Sequence, residues 1–445
     1  MAFSVSAFGL EEGDLPPRWI ADRLDTLAFL NPEQITDCYP HSEIAYLDIS
    51  NVAEGVVGKP AILSLTKAPS RAKRIVRPND TILSTVRPGN RAYAFMREAP
   101  DNLIVSTGFV VLRAKPSTTD PRFVYYLSTS DPIIKYLASI AEEKTAYPSV
   151  NPGDIAECVV PIPPLPEQRA VAHILGTLDD KIELNRWMNE TLEAIAHAYF
   201  KSWFVDFDPV RAKAEGRDPG LPKGIADLFP DSFEDSELGE IPKGWKVRPF
   251  SKTVEVIGGG TPKTSVDEYW NGDIPWFSVA DVPNENDVFV IDTKKKINQT
   301  GINHSATRIL PIGTTIISAR GTVGKVALVG VPMTMNQSCY GLRGMAAGPY
   351  YSYFAARELI VALKQRSHGS VFDTITRNTL TGVYVILPPR IILDTFEGFV
   401  APQLERIKLN LEESRTLASL RDALLPKLIS GELRIIMSVD ERREL

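Results

Sequence analysis

The sequence contains little cysteine and little histidine. Three cysteines and five histidines occur among 445 residues, and none of them forms a CxxC or Cys/His cluster with the spacing of a zinc site. The sequence therefore predicts no metal centre. An odd number of widely separated cysteines also favours a reducing compartment, so we expect a cytoplasmic protein.

Long apolar runs are missing as well. No segment approaches the roughly 18 consecutive apolar residues that a membrane span requires. The N-terminal residues are mildly apolar, but they lack a basic region and lead directly into Glu11 and Glu12. We therefore expect neither a signal peptide nor a membrane-spanning segment.

The motifs of several enzyme classes are absent. There is no GxGxxG motif and no Walker A motif, because Arg320 to Lys325 (RGTVGK) lacks the GxxxxGK spacing. Neither Pro-Pro pair, at 163–164 and at 388–389, has the flanking residues of the Asn/Asp-Pro-Pro-Tyr/Phe signature of adenine methyltransferases. A nuclease triplet built from Asp101 and residues 142–144 would need a long separation. These absences predict a chain without a catalytic site of its own.

The charge of the chain supports two interpretations. The net charge of −6 counts against a simple nucleic-acid binder, but DNA responds to local rather than to net charge. One stretch holds eight basic residues and a single acid, Asp80. Its basic residues are Lys67, Arg71, Lys73, Arg74, Arg77, Arg87, Arg91 and Arg97. On charge alone, a solvated loop and a DNA-binding surface explain this stretch equally well.

The most informative feature of the sequence is an internal repeat. Five segments recur in the same order at offsets between 225 and 233 residues. They pair 15–19 with 241–245, 46–52 with 276–282, 78–87 with 311–320, 106–113 with 336–343, and 163–164 with 388–389. Because the order is kept and the offset drifts by only a few residues, we expect the two halves to share one plan.

Each half begins with a globular part. Short β-branched runs, separated by Gly, Pro and Asn, indicate a mostly β or α+β domain. These runs are Thr81 to Val86, Phe109 to Leu112, Thr314 to Ser318 and Val383 to Leu387. Four aromatic residues that align between the halves are expected in the cores: Trp19, Tyr46, Trp245 and Trp276.

A long helix is predicted after each globular part. The first begins at Pro166, where proline suits the first helical position, and continues to Phe204. About 39 residues would span on the order of 60 Å. The second follows at a constant offset of 225, and Pro402 and Pro426 are expected to kink or fray it.

Apolar residues recur along both helices at alternating steps of three and four. Eleven residues of this seam are assigned to the contact between the helices: Leu175, Leu178, Ile182, Asn185, Leu192 and Tyr199 in the first helix, and Val400, Ile407, Asn410, Leu417 and Leu424 in the second. The seam itself also includes Asn189, Ala196 and Trp203 in the first helix, and Gln403, Ser414, Arg421 and Leu428 in the second. Neither helix can bury its seam alone, so we expect an antiparallel coiled-coil spacer. Asn185 and Asn410 are equivalent, and a buried asparagine fixes helix register at a cost in stability. We favour that role over two exposed polar residues.

Several segments of the sequence resemble the motifs of one known protein family. Residues 163–168 (PPLPEQ) with the following helix resemble the end of a first target recognition domain and the central spacer of that family. Further similar segments are 198–209 (AYFKSWFVDFDP), 228–247, 258–262 (GGGTP) with 269–276 (YWNGDIPW), 336–338 (NQS) and 424–433 (LLPKLISGEL). Together these segments resemble the specificity subunits of type I restriction-modification enzymes, and the resemblance covers nearly the whole chain. It is weakest over 15–161, where the Gly-Gly-Thr-Pro loop has no counterpart.

The resemblance implies a non-catalytic subunit that reads a bipartite, asymmetric target in double-stranded DNA. Two similar domains on a spacer can read two DNA segments at a set distance. The resemblance also implies two methylation subunits, which would use S-adenosylmethionine, and restriction subunits, which would use ATP and Mg²⁺. The chain itself would bind no cofactor. The outward helix faces and the central linker would hold the methylation subunits.

The repeat and the resemblance together divide the chain into six segments. We expect a first target recognition domain over 1–164, a spacer helix over 165–205, a central linker over 206–240, a second recognition domain over 241–389, a second spacer helix over 390–430 and a tail over 431–445.

The candidate DNA-binding residues are basic, polar or conformationally free. Arg87 and Arg320 align in the repeat after β runs, and arginine suits contacts with phosphate and guanine, although ion pairs explain either one equally well. Asn336 and Gln337 could read adenine, with capping and turn roles as alternatives. The complete set is Arg74, Arg77, Arg87, Arg91, Gly259, Thr261, Lys294, Lys295, Arg320, Thr322, Lys325, Asn336 and Gln337.

Two other interpretations remain open. A self-contained nuclease or methyltransferase fused to recognition domains would need a catalytic domain, for which the repeat leaves no room. A coiled-coil scaffold that binds only protein would lack affinity for DNA, with or without methylation subunits.

Overall fold

The fold is taken from a computed structural model, which describes residues 4–10, 13, 15–143, 148–283, 286–366 and 374–435. The chain divides into two compact units. The first unit comprises Met1–Lys181 and Thr416–Leu445, and the second comprises Ile182–Arg415. Each unit contains part of two long helices, Leu165–Phe204 and Arg390–Ser430.

The first unit is built around two four-stranded sheets. Their strand orders are Ala61–Ser64, Glu43–Leu47, Leu103–Ser106, Ala72–Ile75, and Ala28–Leu30, Phe109–Ala114, Asp80–Ser84, Tyr93–Met96. Two short pairs join Ile20–Arg23 to Val159–Ile162 and Val52–Ala53 to Val56–Val57. The shorter α-helices are Pro121–Ser128, Asp131–Glu142 and Pro152–Ala156, and the 3₁₀ turns are Val5–Phe8, Leu24–Thr26, Ile49–Asn51, Leu65–Lys67 and Pro88–Asn90.

The second unit contains a five-stranded and a three-stranded sheet. Their strand orders are Val254–Gly258, Cys339–Gly344, Thr315–Ser318, Val326–Val329, Phe289–Val290, and Lys296–Ile297, Ile274–Phe277, Thr334–Met335. Two further pairs join Phe233–Ser236 to Gly239–Pro242 and Lys246–Pro249 to Tyr384–Leu387. The shorter α-helices are Asp208–Ala214, Lys223–Ala226, Gln299–Asn303, Pro349–Arg366 and Arg377–Thr381, and the 3₁₀ turns are Phe250–Lys252, Asp267–Trp270 and Val279–Asp281.

The two units repeat one α+β architecture, as the sequence predicts. In each unit an antiparallel pair joins a strand near the start of the globular part to its last strand: Ile20–Arg23 pairs with Val159–Ile162, and Lys246–Pro249 pairs with Tyr384–Leu387. The aligned residues Tyr46 and Trp276 each lie on a strand that pairs in parallel with a later strand. Tyr46 is opposite Ile104 in the first unit, and Trp276 is opposite Thr334 in the second. The aligned aromatic residues are all buried, which confirms their assignment to the cores.

Sheet register changes the alignment of the repeat at one place. Ser84 pairs with Phe109 in the first unit, and Ser318 pairs with Cys339 in the second. Phe109 and Cys339 are equivalent at the offset of 230 that the sequence comparison gives. Ser84 therefore corresponds to Ser318 at an offset of 234, one residue more than the 233 of the sequence comparison.

Arg87 and Arg320 consequently do not occupy the same repeat position, and that prediction is wrong. Arg320 corresponds to Val86, because each forms an isolated bridge to the segment before the last short helix of its unit. Arg87, with φ of 46°, corresponds to Gly321, with φ of 76°. A slip of one residue along a strand turns a side chain to the opposite face, so the two arginines have different surroundings.

The long helices pack against each other in antiparallel fashion within each unit. In the second unit Asn185 Nδ2 lies 3.2 Å from Ser414 Oγ, and Asn410 Nδ2 donates to Asn189 Oδ1 at 2.8 Å. All three asparagines are buried. None of the eleven seam residues is exposed. The polar layer formed by Asn185, Asn189 and Asn410 fits the predicted register role, because shifting either helix would bury unpaired amides.

In the first unit the pairing continues through an ion pair. Arg421 Nη1 donates to Asp179 Oδ1 at 2.7 Å, and Leu175 and Leu428 are buried in the same apolar cluster. The helix Arg390–Ser430 is continuous through Pro402 and Pro426, so the expectation of fraying there is wrong. Burial of its apolar side outweighs the hydrogen bonds that proline removes.

All three cysteines are free; Cys38 is exposed, whereas Cys158 and Cys339 are buried. Burial raises the pKa of both buried thiols to about 12. No helix in the described part of the chain is long and apolar enough to cross a membrane.

Candidate nucleic-acid interface

Most arginines of the basic stretch in the first unit form ion pairs within that unit. Arg77 lies 2.9 Å from Glu33 and 3.3 Å from Asp101, and Arg91 pairs with Asp131. The hydrogen bond to Asp131 raises the pKa of Arg91. Further pairs join Arg71 to Asp48 and Arg97 to Asp180. Arg77 and Arg91 thus have a structural function, and their assignment to DNA binding stays a prediction.

Arg74 and Arg87 differ from these arginines. Arg74 is half-buried, and its nearest polar contact is from Nη2 to the carbonyl oxygen of Thr107 at 3.4 Å. Its Nε is buried without a hydrogen-bond partner among the described residues, and burial lowers the pKa of this guanidinium. Arg87 is exposed, and no ion pair involves it in the described chain. Arg74 is thus a partly desolvated cation without a counterion among the described residues, and such a group is suited to bind a phosphate.

In the second unit the glycines of the 258–262 loop are required by close packing. A Cβ on Gly259 would lie 1.9 Å from the carbonyl oxygen of Asn336, and one on Gly260 would lie 2.5 Å from the backbone nitrogen of Thr307. Gly260 N also donates to the carbonyl of Met335 at 2.9 Å. The loop is therefore fastened to the turn at 335–338, so Gly259 has a structural reason to be glycine.

The polar side chains of this loop and turn meet at the surface. Thr261 Oγ1 donates to Gln337 Oε1, and Gln337 is exposed. Asn336 Oδ1 accepts from the backbone nitrogen of Ser338 at 3.1 Å, which is the turn role left open by the sequence. The structure thus brings together four candidate residues: Gly259, Thr261, Asn336 and Gln337.

Lys295 is connected to the same loop through a pair of tryptophans. The ammonium of Lys295 lies 5.5 Å from the ring centroid of Trp270, which packs edge-on against Trp276 at 5.0 Å. Trp276 Nε1 donates to the carbonyl of Gly260 at 3.0 Å. Lys294 is exposed, and its backbone nitrogen donates to Asp281.

Arg320, Thr322 and Lys325 are exposed on one tight turn. Ser318 Oγ donates to the carbonyl of Thr322 at 2.5 Å and accepts from the nitrogen of Lys325 at 2.8 Å. The backbone nitrogen of Arg320 donates to the carbonyl of Ser338 at 3.2 Å, which links this turn to the one at 335–338. Within the described residues no ion pair involves the Arg320 guanidinium.

Sequence reasoning missed two residues of this surface. Trp270 is half-buried and its ring lies beside the Lys295 ammonium; the aromatic signal for this contact was present in the YWNGD segment. The buried Thr307 donates from Oγ1 to the carbonyl of Met335 at 2.9 Å and so fixes the turn at 335–338 from its buried side. A single threonine distant in sequence gives no signal of such a role. Among the described residues no group of three or more potential metal ligands occurs.

Comparison with known proteins identifies the family. A model of the type I restriction modification DNA specificity domain matches residues 50–194 and 242–410. The specificity subunit of the type I restriction enzyme HindI from Haemophilus influenzae is 28% identical over 443 residues, covering 89% of this chain and 95% of that protein. The MjaIX specificity subunit from Methanocaldococcus jannaschii is 26% identical and covers 83% and 81% respectively.

A solved structure agrees at the level of the fold. The crystal structure of a type I restriction-modification S subunit from M. genitalium aligns over 96% of this chain and 98% of that chain, with a TM-score of 0.54 and 15% identity. Since the matched domains cover more than half of its residues, the chain belongs to the family of type I restriction-modification specificity subunits.

Proposed function

We propose that this chain reads a bipartite, asymmetric sequence in double-stranded DNA, with one half-site for each unit, and directs methylation and restriction subunits to it. The supporting observation is a duplicated scaffold with different surface side chains. By sheet register, Gln337 and Arg320 of the second unit correspond to Thr107 and Val86 of the first. The second unit therefore has the amide of Gln337 where the first has the hydroxyl of Thr107, and the cation of Arg320 where the first has the apolar Val86. Because these side chains differ in hydrogen bonding and charge, the two units would prefer different bases.

We infer two methylation subunits from a second duplicated feature. Four exposed positions on each long helix correspond at the offset of 225. The first exposed stripe is Leu184, Thr191, Ile195 and Ala198, and the second is Leu409, Thr416, Leu420 and Ala423. Three of the four pairs are identical, whereas the neighbouring exposed pair Trp187 and Glu412 is not. An apolar surface presented twice is suited to two copies of one partner.

The chemistry would belong to these partners. The methylation subunits would transfer a methyl group from S-adenosylmethionine to adenine, and the restriction subunits would use ATP and Mg²⁺. The chain would supply the choice of site in the cytoplasm, where its three cysteines would remain thiols.

The decisive experiment maps adenine methylation by modification-sensitive sequencing. Cells that lack the gene are complemented with the chain and its methylation subunits, and formation of the complex is checked by co-purification. The expected result is a bipartite, asymmetric motif that is methylated only in complemented cells. A purified complex without any such motif would reject sequence-specific reading and leave the scaffold interpretation.

The two exposed stripes can be tested separately. Leu184→Glu and Leu409→Glu place a charge on surfaces that are 48% and 54% exposed, so neither change disturbs a buried core. Each single variant is expected to bind one methylation subunit and the double variant none, as measured by native mass spectrometry. Glu190→Ala, on an exposed part of the first helix outside its stripe, is the matched control. Unchanged stoichiometry in both single variants would reject the assignment.

A further inference from the structure

The loop at 258–262 and the turn at 335–338 form a rigid platform in the second unit. No Cβ fits on Gly259 or Gly260, since each would come within 2.5 Å of backbone atoms. Three hydrogen bonds hold the platform: Gly260 N to the Met335 carbonyl, Trp276 Nε1 to the Gly260 carbonyl, and Thr307 Oγ1 to the Met335 carbonyl. Side chains on such a backbone are held in position before any ligand arrives.

Gln337 is the polar side chain that this platform presents to solvent. Its Oε1 accepts a hydrogen bond from the Thr261 hydroxyl, a residue 76 positions away in the chain. That contact orients the amide while leaving a lone pair of Oε1 and the NH₂ donors available. Asn336 beside it is half-buried and uses its Oδ1 within the turn. Of the two amides, Gln337 is therefore the one equipped to recognise an external group.

Cations are attached to the same platform. Arg320 is bonded through its backbone nitrogen to Ser338, at the end of the turn. Lys295 is connected through the rings of Trp270 and Trp276 to the Gly260 carbonyl. Phosphate contacts fix the register of a protein on DNA, whereas hydrogen bonds to the edges of the bases carry the sequence information. A neutral amide accompanied by two exposed cations provides both kinds of contact.

We propose that Gln337 reads an adenine in the half-site of the second unit and that Thr261 is the positioning residue that orients its amide. A glutamine amide matches the major-groove edge of adenine, because its oxygen accepts from N6 and its NH₂ donates to N7. This inference rests on the proposed function, since it names the residues by which one unit would select its sequence.

The test uses the complex of the full chain with its methylation subunits. The target is first defined by methylation sequencing. Binding is then measured to the wild-type duplex and to duplexes that each carry one changed base pair. For Gln337→Ala the expected result is loss of about 5- to 150-fold discrimination at one A·T pair, which is what a bidentate contact contributes, with discrimination at the other positions kept.

The role of Thr261 is tested by two substitutions that differ in the hydroxyl. Thr261→Val keeps the shape and removes the donor, and it is expected to weaken discrimination at the same A·T pair. Thr261→Ser restores the hydroxyl and is expected to restore discrimination. An effect of Thr261→Val at all positions alike, or none at the Gln337 position, would overturn the positioning role.

The outcomes separate this inference from the proposed function. If the wild-type complex prefers no sequence, the proposed function fails and this inference fails with it. If the wild-type complex is specific but Gln337→Ala keeps full discrimination at every base pair, this inference alone is wrong. A uniform loss of affinity in Gln337→Ala would also overturn it, because that result describes a phosphate contact.

Discussion

Replacing Arg320 by alanine should change the salt dependence of DNA binding. Arg320 is exposed, and its hydrogen bond to Ser338 uses the backbone nitrogen, so the substitution leaves the fold intact. Each phosphate contact contributes about 0.9 to the slope of log affinity against log salt. Between 50 and 200 mM salt, the loss of affinity should therefore be smaller by about 3.5-fold in Arg320→Ala than in the wild type.

The matched control is Arg343→Ala in the same unit. Arg343 is also exposed, but its Nε lies 3.4 Å from Glu255 in an ion pair, so its charge is already balanced. We expect its slope to equal that of the wild type. The measurement is equilibrium binding of the complex to its target duplex at several salt concentrations, with circular dichroism to verify folding. A wild-type slope in Arg320→Ala, or an equal decrease in both variants, would refute the reasoning.

Three further predictions concern stability and reactivity. Asn410→Ala leaves the buried Asn189 Oδ1 unpaired, at a cost of about 1–3 kcal/mol, and should speed amide hydrogen exchange in the adjoining helix segments, whereas the exposed Leu409→Ala should not. Cys38 should react with a thiol reagent in the native protein, and the two buried cysteines only after denaturation; reaction of Cys158 or Cys339 in the native state would contradict the burial and the raised pKa of these two thiols. Hydrogen bonds from its arginine partners lower the pKa of Glu33, so its contribution to stability is present above about pH 4.3 and is lost as the pH falls through the folded-state pKa. An acid titration of Glu33→Gln should consequently show a shallower loss of stability, and an unchanged profile would argue against this ion pair.

The sequence by itself determined the large-scale organisation of this protein. Repeated segments, helical periodicity and the two helix-starting segments are all properties of residue order. They were sufficient to predict two α+β units, two paired helices and a buried polar layer at Asn185 and Asn410, which the structure extends to Asn189. Local preferences and apolar spacing settle such elements, because each depends on residues within a few turns or one strand.

Only the tertiary structure decided which candidate residues are available for a ligand. Arg77 and Arg91 are paired with acids 44 and 40 residues away, whereas Arg320 has no ion pair within the described chain. These outcomes depend on strand register and on loops brought together from distant parts of the sequence. The one-residue shift that separates Arg87 from Arg320 arises in the same way, since hydrogen bonding between strands, and not similarity along the chain, sets which side chains share a position.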